Sequence, residues 1–147
     1  MEIRNKKGEL LHRGSNSNTF SELDLSEAVF EGAILQGAHF DDCNLAGANF
    51  RGADLYWGNF FRANLTGASL ESAQLQGADL KGTNLTNADL RNANLGRDNL
   101  GGSSQLQSAN LTNANLRGAH LEGAEYDAKT VFPKGFYPEK HGMILKD

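Results

Sequence analysis

One residue in five is leucine or phenylalanine through most of this chain. The register runs Phe20, Leu25, Phe30, Leu35, Phe40, Leu45, Phe50, Leu55, Phe60, Leu65, Leu70, Leu75, Leu80, Leu85, Leu90, Leu95 and Leu100, skips one residue, and resumes at Leu106, Leu111, Leu116, Leu121 and Tyr126, which makes 22 centres. Neither regular structure can use that period: five helical steps turn a side chain through about 140°, and five strand steps invert it. The chain must therefore turn once per repeat. Units of this kind cannot bury an apolar side alone, so they must stack on one another.

The other positions say how the turn is made. Two residues before each centre the side chain is Ala in fifteen of the 22 repeats, and Cys43, Gly58, Thr83 and Ser104 are also small. This reads as a second inward site too crowded for bulk, with Asn18, Leu23 and Asp98 as its exceptions. The residue just before the centre is often Asn or Asp, as at Asn49, Asp54 and Asn64, and strand alternation points it outward. Gly fills ten of the positions two after a centre, where corners need unusual dihedrals or close backbone approach.

The unit A-(D/N)-L-x-x, as in Ala53-Asp54-Leu55 and Ala88-Asp89-Leu90, resembles the pentapeptide-repeat family over roughly residues 18 to 127. That resemblance implies an all-β fold: a right-handed quadrilateral β-helix with one repeat per side and twenty residues per coil, hence about five and a half coils. The phenylalanines agree with it. At twenty residues per coil, Phe20, Phe40 and Phe60 form one column and Phe30 and Phe50 the opposite one, whereas a coil of fifteen would set Leu35 between Phe20 and Phe50. The chain reads as a single domain: an N-terminal cap (1–17) formed by an extended pair around Asn5-Lys6-Lys7-Gly8, the β-helix (18–127), and a C-terminal cap (128–147). The break in register reads as a one-residue insertion at 101–105, a widened corner after which the inward phase is restored.

Solenoid ends expose strand edges and an open core. Ile3, Leu10 and Leu11 are available at one end, and Phe132-Pro133-Lys134-Gly135-Phe136-Tyr137-Pro138 with Met143-Ile144-Leu145 at the other. A competing reading docks the C-terminal segment on a second copy, making a homodimer. With no secretory leader and no membrane-spanning apolar run, cytoplasmic residence and no membrane partner are the expectations.

No catalytic constellation, metal site or cofactor motif is expected. His39 and His120 sit just before centres and, on the four-sided count, share one face about four coils apart. The stretch His39-Phe40-Asp41-Asp42-Cys43 is ligand-rich, but its phase turns Cys43 inward. Two features remain. Tyr56, Trp57 and Phe61 occupy positions elsewhere polar or Gly, with Gly37 and Gly77 as neighbours of Trp57 on adjacent coils. They form a candidate protein-contact patch, or else rings that only plug a glycine-lined corner. Charge is the second feature. Residues 18–127 hold fourteen Asp and Glu against six Lys and Arg, in a chain of net charge −4. Direct nucleic-acid binding is therefore not expected. These residues point to a non-catalytic protein-interaction or scaffold module with an unidentified protein partner. An acidic DNA mimic acting on gyrase or topoisomerase, as the resemblance allows, is the alternative, and a small-ligand binder or enzyme the second alternative.

Overall fold

The computed structural model describes residues 1–15 and 17–147. Its repeats are joined by single parallel bridges between residues twenty apart, in four columns: Thr19–His39–Asn59–Asp79, Asp24–Asn44–Asn64–Asn84, Val29–Asn49–Ser69–Asp89 and Ile34–Asp54–Gln74–Asn94. Each repeat contributes one rung, so the sides are too short to count as strands, yet the ladder between coils is continuous. Phe40 N–H donates to Asn59 O at 2.7 Å, and Asn59 N–H donates back to Ala38 O at 2.8 Å. Backbone groups that a five-residue unit cannot pair internally are thus paired by its neighbours. Among the described residues there is no α-helix.

The corner chemistry explains the consensus. In the regular repeats the centre's carbonyl accepts the N–H three residues on, as from Ala48 to Leu45 at 3.0 Å. The residue before that donor is left-handed, whether Gly47 at φ 68° or Trp57 at 55°. That is the requirement of a type II turn, and it accounts for the glycine and asparagine there. The Asn or Asp before each centre does more than face solvent. Its side-chain oxygen accepts the N–H of the first corner residue, as from Arg51 to Asn49 at 3.0 Å and from Lys81 to Asp79 at 3.0 Å. These side chains are Asx caps on the turn.

The core is one axial column. Phe20, Phe40 and Phe60 stack at centroid separations of 5.0 and 5.1 Å, and Phe30 lies on Phe50 at 4.8 Å. Rings from the two columns meet edge to face, as Phe40 does with Phe50 at 5.5 Å. Both arrangements suit aromatic quadrupoles. The small site before the centre is buried in most repeats, and the polar side chains buried there are satisfied by backbone: Cys43 Sγ donates to Phe20 O and Ser104 Oγ to Leu75 O. Leu116 and Tyr126, expected as core centres, are only half-buried against the last coil.

One expectation fails outright. The column ending at Asp79 continues to Gln105, not to Asn99, and the next three rungs shift alike, Asn84 to Asn110, Asp89 to Asn115 and Asn94 to His120. Six residues, 98–103, are therefore thrown out of the solenoid in place of a one-residue insertion at 101–105. Leu100, expected in the core, is 82% exposed. The cause lies at Asp98, which would have filled a buried small site. Burying an unpaired carboxylate costs several kcal/mol, more than the roughly 1.5–3 kcal/mol gained from one leucine. The chain re-enters at Ser104, small and fully buried.

The ends are covered by the chain itself. Strands β1 (Glu2–Arg4) and β2 (Leu10–Arg13) form an antiparallel hairpin. It docks through Val29 N–H to Arg4 O at 2.9 Å and buries Ile3, while Leu10 stays exposed. At the far end β3 (Glu125–Tyr126) pairs in parallel with β4 (Ile144–Leu145) after a 3-10 turn at Pro138–His141. Tyr126, Phe132, Phe136 and His141 form a chain of ring contacts over the last coil, and Met143 is buried. The C-terminal segment thus seats on its own chain.

Candidate functional site

The corner that carries Trp57 is a column of its own: Gly37, Trp57, Gly77, Arg97 and Gly123 hold equivalent places on successive coils, as the pairing of Trp57 N–H with Gln76 O and Arg97 N–H with Glu122 O shows. Trp57 takes the left-handed turn position at φ 55°, which aims its side chain along the corner. The indole lies over Gly77, where a Cβ would stand 2.0 Å from Cδ1. No other residue leaves room there. A Cβ on Gly37 would meet nothing within 4 Å, so the ring leans toward the C-terminal side only. It remains 54% exposed.

The looped-out residues meet this ring. Trp57 Nε1–H donates to Asp98 Oδ2 at 2.7 Å, and Asp98 Oδ1 accepts the N–H groups of Gly102 at 2.6 Å and Leu100 at 2.8 Å. Desolvation pushes the Asp98 carboxyl up, but these donors outweigh it and hold the group below the ordinary aspartate value. Between loop and corner lies a groove of about 330 Å³ lined by Gln36, Tyr56, Trp57, Asp98, Asn99 and Leu100. Gln36 is fixed by its amide on Asp54 Oδ2 at 2.6 Å.

Tyr56 and Trp57 are therefore brought together, but Phe61 is not with them. It stands at the following corner, across the side carrying Asn59, with the Arg62 guanidinium 5.5 Å from its ring. The same Arg62 is held by Asp42 at 2.7 Å. Spacing along the chain had joined Phe61 to the other two rings, whereas one pentapeptide moves a residue to the next corner. Asp98, Asn99 and Leu100 were missed as groove residues because the period counted Leu100 inward. The available signal was a charged residue at a site reserved for Ala.

The remaining reactive side chains are dispersed. The six-residue excursion moves His120 onto the column of Asn94, away from the column of His39, so the two do not share a face. Cys43 is buried, and desolvation pushes its thiol up to about 11, which leaves it inert at neutral pH. Asp42 is engaged by Arg62 and Asp41 accepts from Ser21 Oγ. Among the described residues no three His, Cys, Asp or Glu side chains are grouped to hold a metal ion, and no helix is long and apolar enough to cross a membrane. One further corner carries Glu31, Arg51, Glu71 and Arg91 on successive coils, alternating in sign, with Arg51 Nε 3.4 Å and an Arg91 terminal nitrogen 3.7 Å from Glu71. Arg91 also holds the Asp89 carboxyl below its usual range.

The family model for pentapeptide repeats matches residues 24–60, 59–97 and 104–125 in eight copies, and the stretch it skips is the looped-out 98–103. No curated protein matches the chain. The solved structures that it resembles include two pentapeptide repeat proteins. A pentapeptide repeat protein from the thylakoid lumen of Arabidopsis thaliana is 35% identical, with 76% of this chain and 67% of that one covered and a TM-score of 0.51. A pentapeptide repeat protein from Nostoc PCC 7120 is 32% identical, with 88% and 86% covered and a TM-score of 0.52. On the repeat, the fold and these matches together, the chain belongs to the pentapeptide-repeat family.

Proposed function

We propose that this chain is a non-catalytic, cytoplasmic protein-interaction module, a right-handed quadrilateral solenoid of about five and a half coils that presents one groove to an unidentified protein partner. The observation that carries the reading is the meeting of Tyr56, Trp57 and the expelled Leu100 around one groove on the edge of the rod. An exposed tryptophan with a half-buried tyrosine at its side and an exposed leucine opposite is the composition of an interface anchor. The ladder between coils fixes these groups before any partner arrives, so little ordering entropy is lost on this side. The alternation of Glu31, Arg51, Glu71 and Arg91 favours a surface that reads individual side chains over one that imitates a polyanion.

Affinity capture from source lysate, with the intact chain, with Trp57→Ala and with residues 98–103 excised, tests this. The excision joins Arg97 to Ser104 and leaves an uninterrupted repeat, so its fold should survive, as circular dichroism would verify. A partner retained in stoichiometric amount by the intact chain should be lost with both variants. Equal retention by all three would remove the groove from consideration.

A further inference from the structure

The groove has a chemical preference written into it, which rests on the reading that it is the partner-binding surface. Beside its two rings stands the Asp98 carboxylate, bonded to the Trp57 N–H, and the Asp54 carboxylate holds the Gln36 amide. No lysine or arginine lines it. The nearest basic residue in sequence, Arg97, is turned the other way: its side chain covers Gly123, where a Cβ would stand 2.4 Å from Nε. Phe61 offers the internal contrast, since its ring already carries Arg62 as a cation. Trp57 carries a carboxylate on its N–H edge and no cation of its own.

Acceptor capacity is left over. A carboxylate offers about four lone-pair sites. Asp98 uses two on Oδ1 for Leu100 and Gly102 and one on Oδ2 for the indole, so Oδ2, the oxygen beside Trp57, is the less occupied of the two. Leu100 supplies apolar surface for an aliphatic stem beside the same ring. An indole face, an open carboxylate lone pair and an apolar flank are together complementary to one side chain above others. Arginine stacks flat on aromatic faces, forks to carboxylates and has a long apolar stem.

We infer that the groove at Trp57 and Asp98 takes an arginine side chain from an extended segment of the protein partner. The guanidinium lies on the indole with one N–H toward Asp98 Oδ2, and the stem runs along Leu100.

Trp57 is the sole tryptophan, so its fluorescence reports the groove directly. The intact protein is titrated with acetyl-Ala-Leu-Arg-Ala-amide and with the same peptide carrying citrulline, the neutral isostere of arginine. Saturable change with the arginine peptide, about tenfold weaker with citrulline, is expected. Adding a carboxylate with Asn99→Asp should tighten the arginine peptide about threefold, and Asn99→Lys should weaken it by a similar factor. Asn99 is an exposed loop residue, so neither change threatens the fold. Equal binding of the arginine and citrulline peptides, or no saturable change with either, would overturn the inference. L-Argininamide binding as tightly as the peptide would overturn the extended segment. Loss of partner capture by Trp57→Ala alongside equal peptide binding would sink the arginine preference alone, leaving the surface reading in place.

Discussion

Leu95 and Leu100 stand one repeat apart, each preceded by asparagine, and their fates are opposite: Leu95 is fully buried and Leu100 is 82% exposed. The residues two before them differ. Ala93 sits buried in the small site, whereas Asp98 leaves the coil and spends its carboxylate on the N–H groups of Leu100 and Gly102 and the indole of Trp57. Register in this solenoid is thus decided jointly by the large and the small inward sites. A leucine whose companion cannot be buried is expelled with it. The expelled segment is not idle, because it completes the groove that the regular coils lack.

The largest expected effect tests that contrast directly. Leu95→Ala should cost about 2–5 kcal/mol, because it leaves a cavity in a stacked column. Leu100→Ala, with almost no buried surface to lose, should fall within about 0.5 kcal/mol of the parent. Urea unfolding of the two variants measures the difference. Similar losses would mean that Leu100 is buried in solution and that the excursion is misassigned.

Next comes the seat of the indole. Gly77 has φ 72° and lies under Trp57, so Gly77→Ala meets both a backbone penalty and a ring in its way. A loss of about 1–2 kcal/mol is expected, with Trp57 emission moving to the red as the ring is displaced. Gly67→Ala is the control, since it shares the backbone strain at φ 65° but has nothing within 4 Å of its Cβ. It should lose stability by about 1 kcal/mol or less without a spectral change. If both variants shift the emission equally, the close approach of Trp57 to Gly77 is wrong.

Excising residues 98–103 should change stability by about 1 kcal/mol or less, because closing a slightly shorter connection is cheap and no buried leucine is removed. A large loss in thermal unfolding would show that the segment contributes to the fold beyond its contact with Trp57.

The solenoid was legible in the residues because its signal is redundant: the centres, the Ala sites and the Phe columns all state the same phase, and the stacked Phe20, Phe40 and Phe60 rings follow from it. The excursion was not, for a physical reason. A one-residue skip and a six-residue loop restore the same inward phase five residues apart, so periodicity cannot choose between them, and only the cost of burying Asp98 does. The same shift misplaced His120 by one column. Phe61 was grouped with Trp57 because nearness along a chain that turns every five residues does not carry over to nearness on its surface. The Asx caps were hidden behind a correct but incomplete reading, that Asn49 or Asp79 faces outward.

The smallest expected effect is also the most local. Asp98 titrates below the ordinary aspartate value of about 3.9, because its hydrogen bonds from Gly102, Trp57 and Leu100 favour the carboxylate over the acid. A carboxyl whose folded value is depressed stabilises the docked loop fully above its unfolded value, and that contribution is lost as the pH falls through the folded one. Trp57 emission should therefore hold steady from neutral pH down to about 4 and change only below it, as the indole loses an ionised acceptor. The Asp98→Asn variant, which keeps a carbonyl oxygen but does not titrate, should abolish the transition while other carboxylates still protonate. A midpoint at or above the ordinary aspartate value would mean that the loop is not anchored by Asp98 in solution. Leu95 and Leu100 would then differ for some reason other than the charge that separates their repeats.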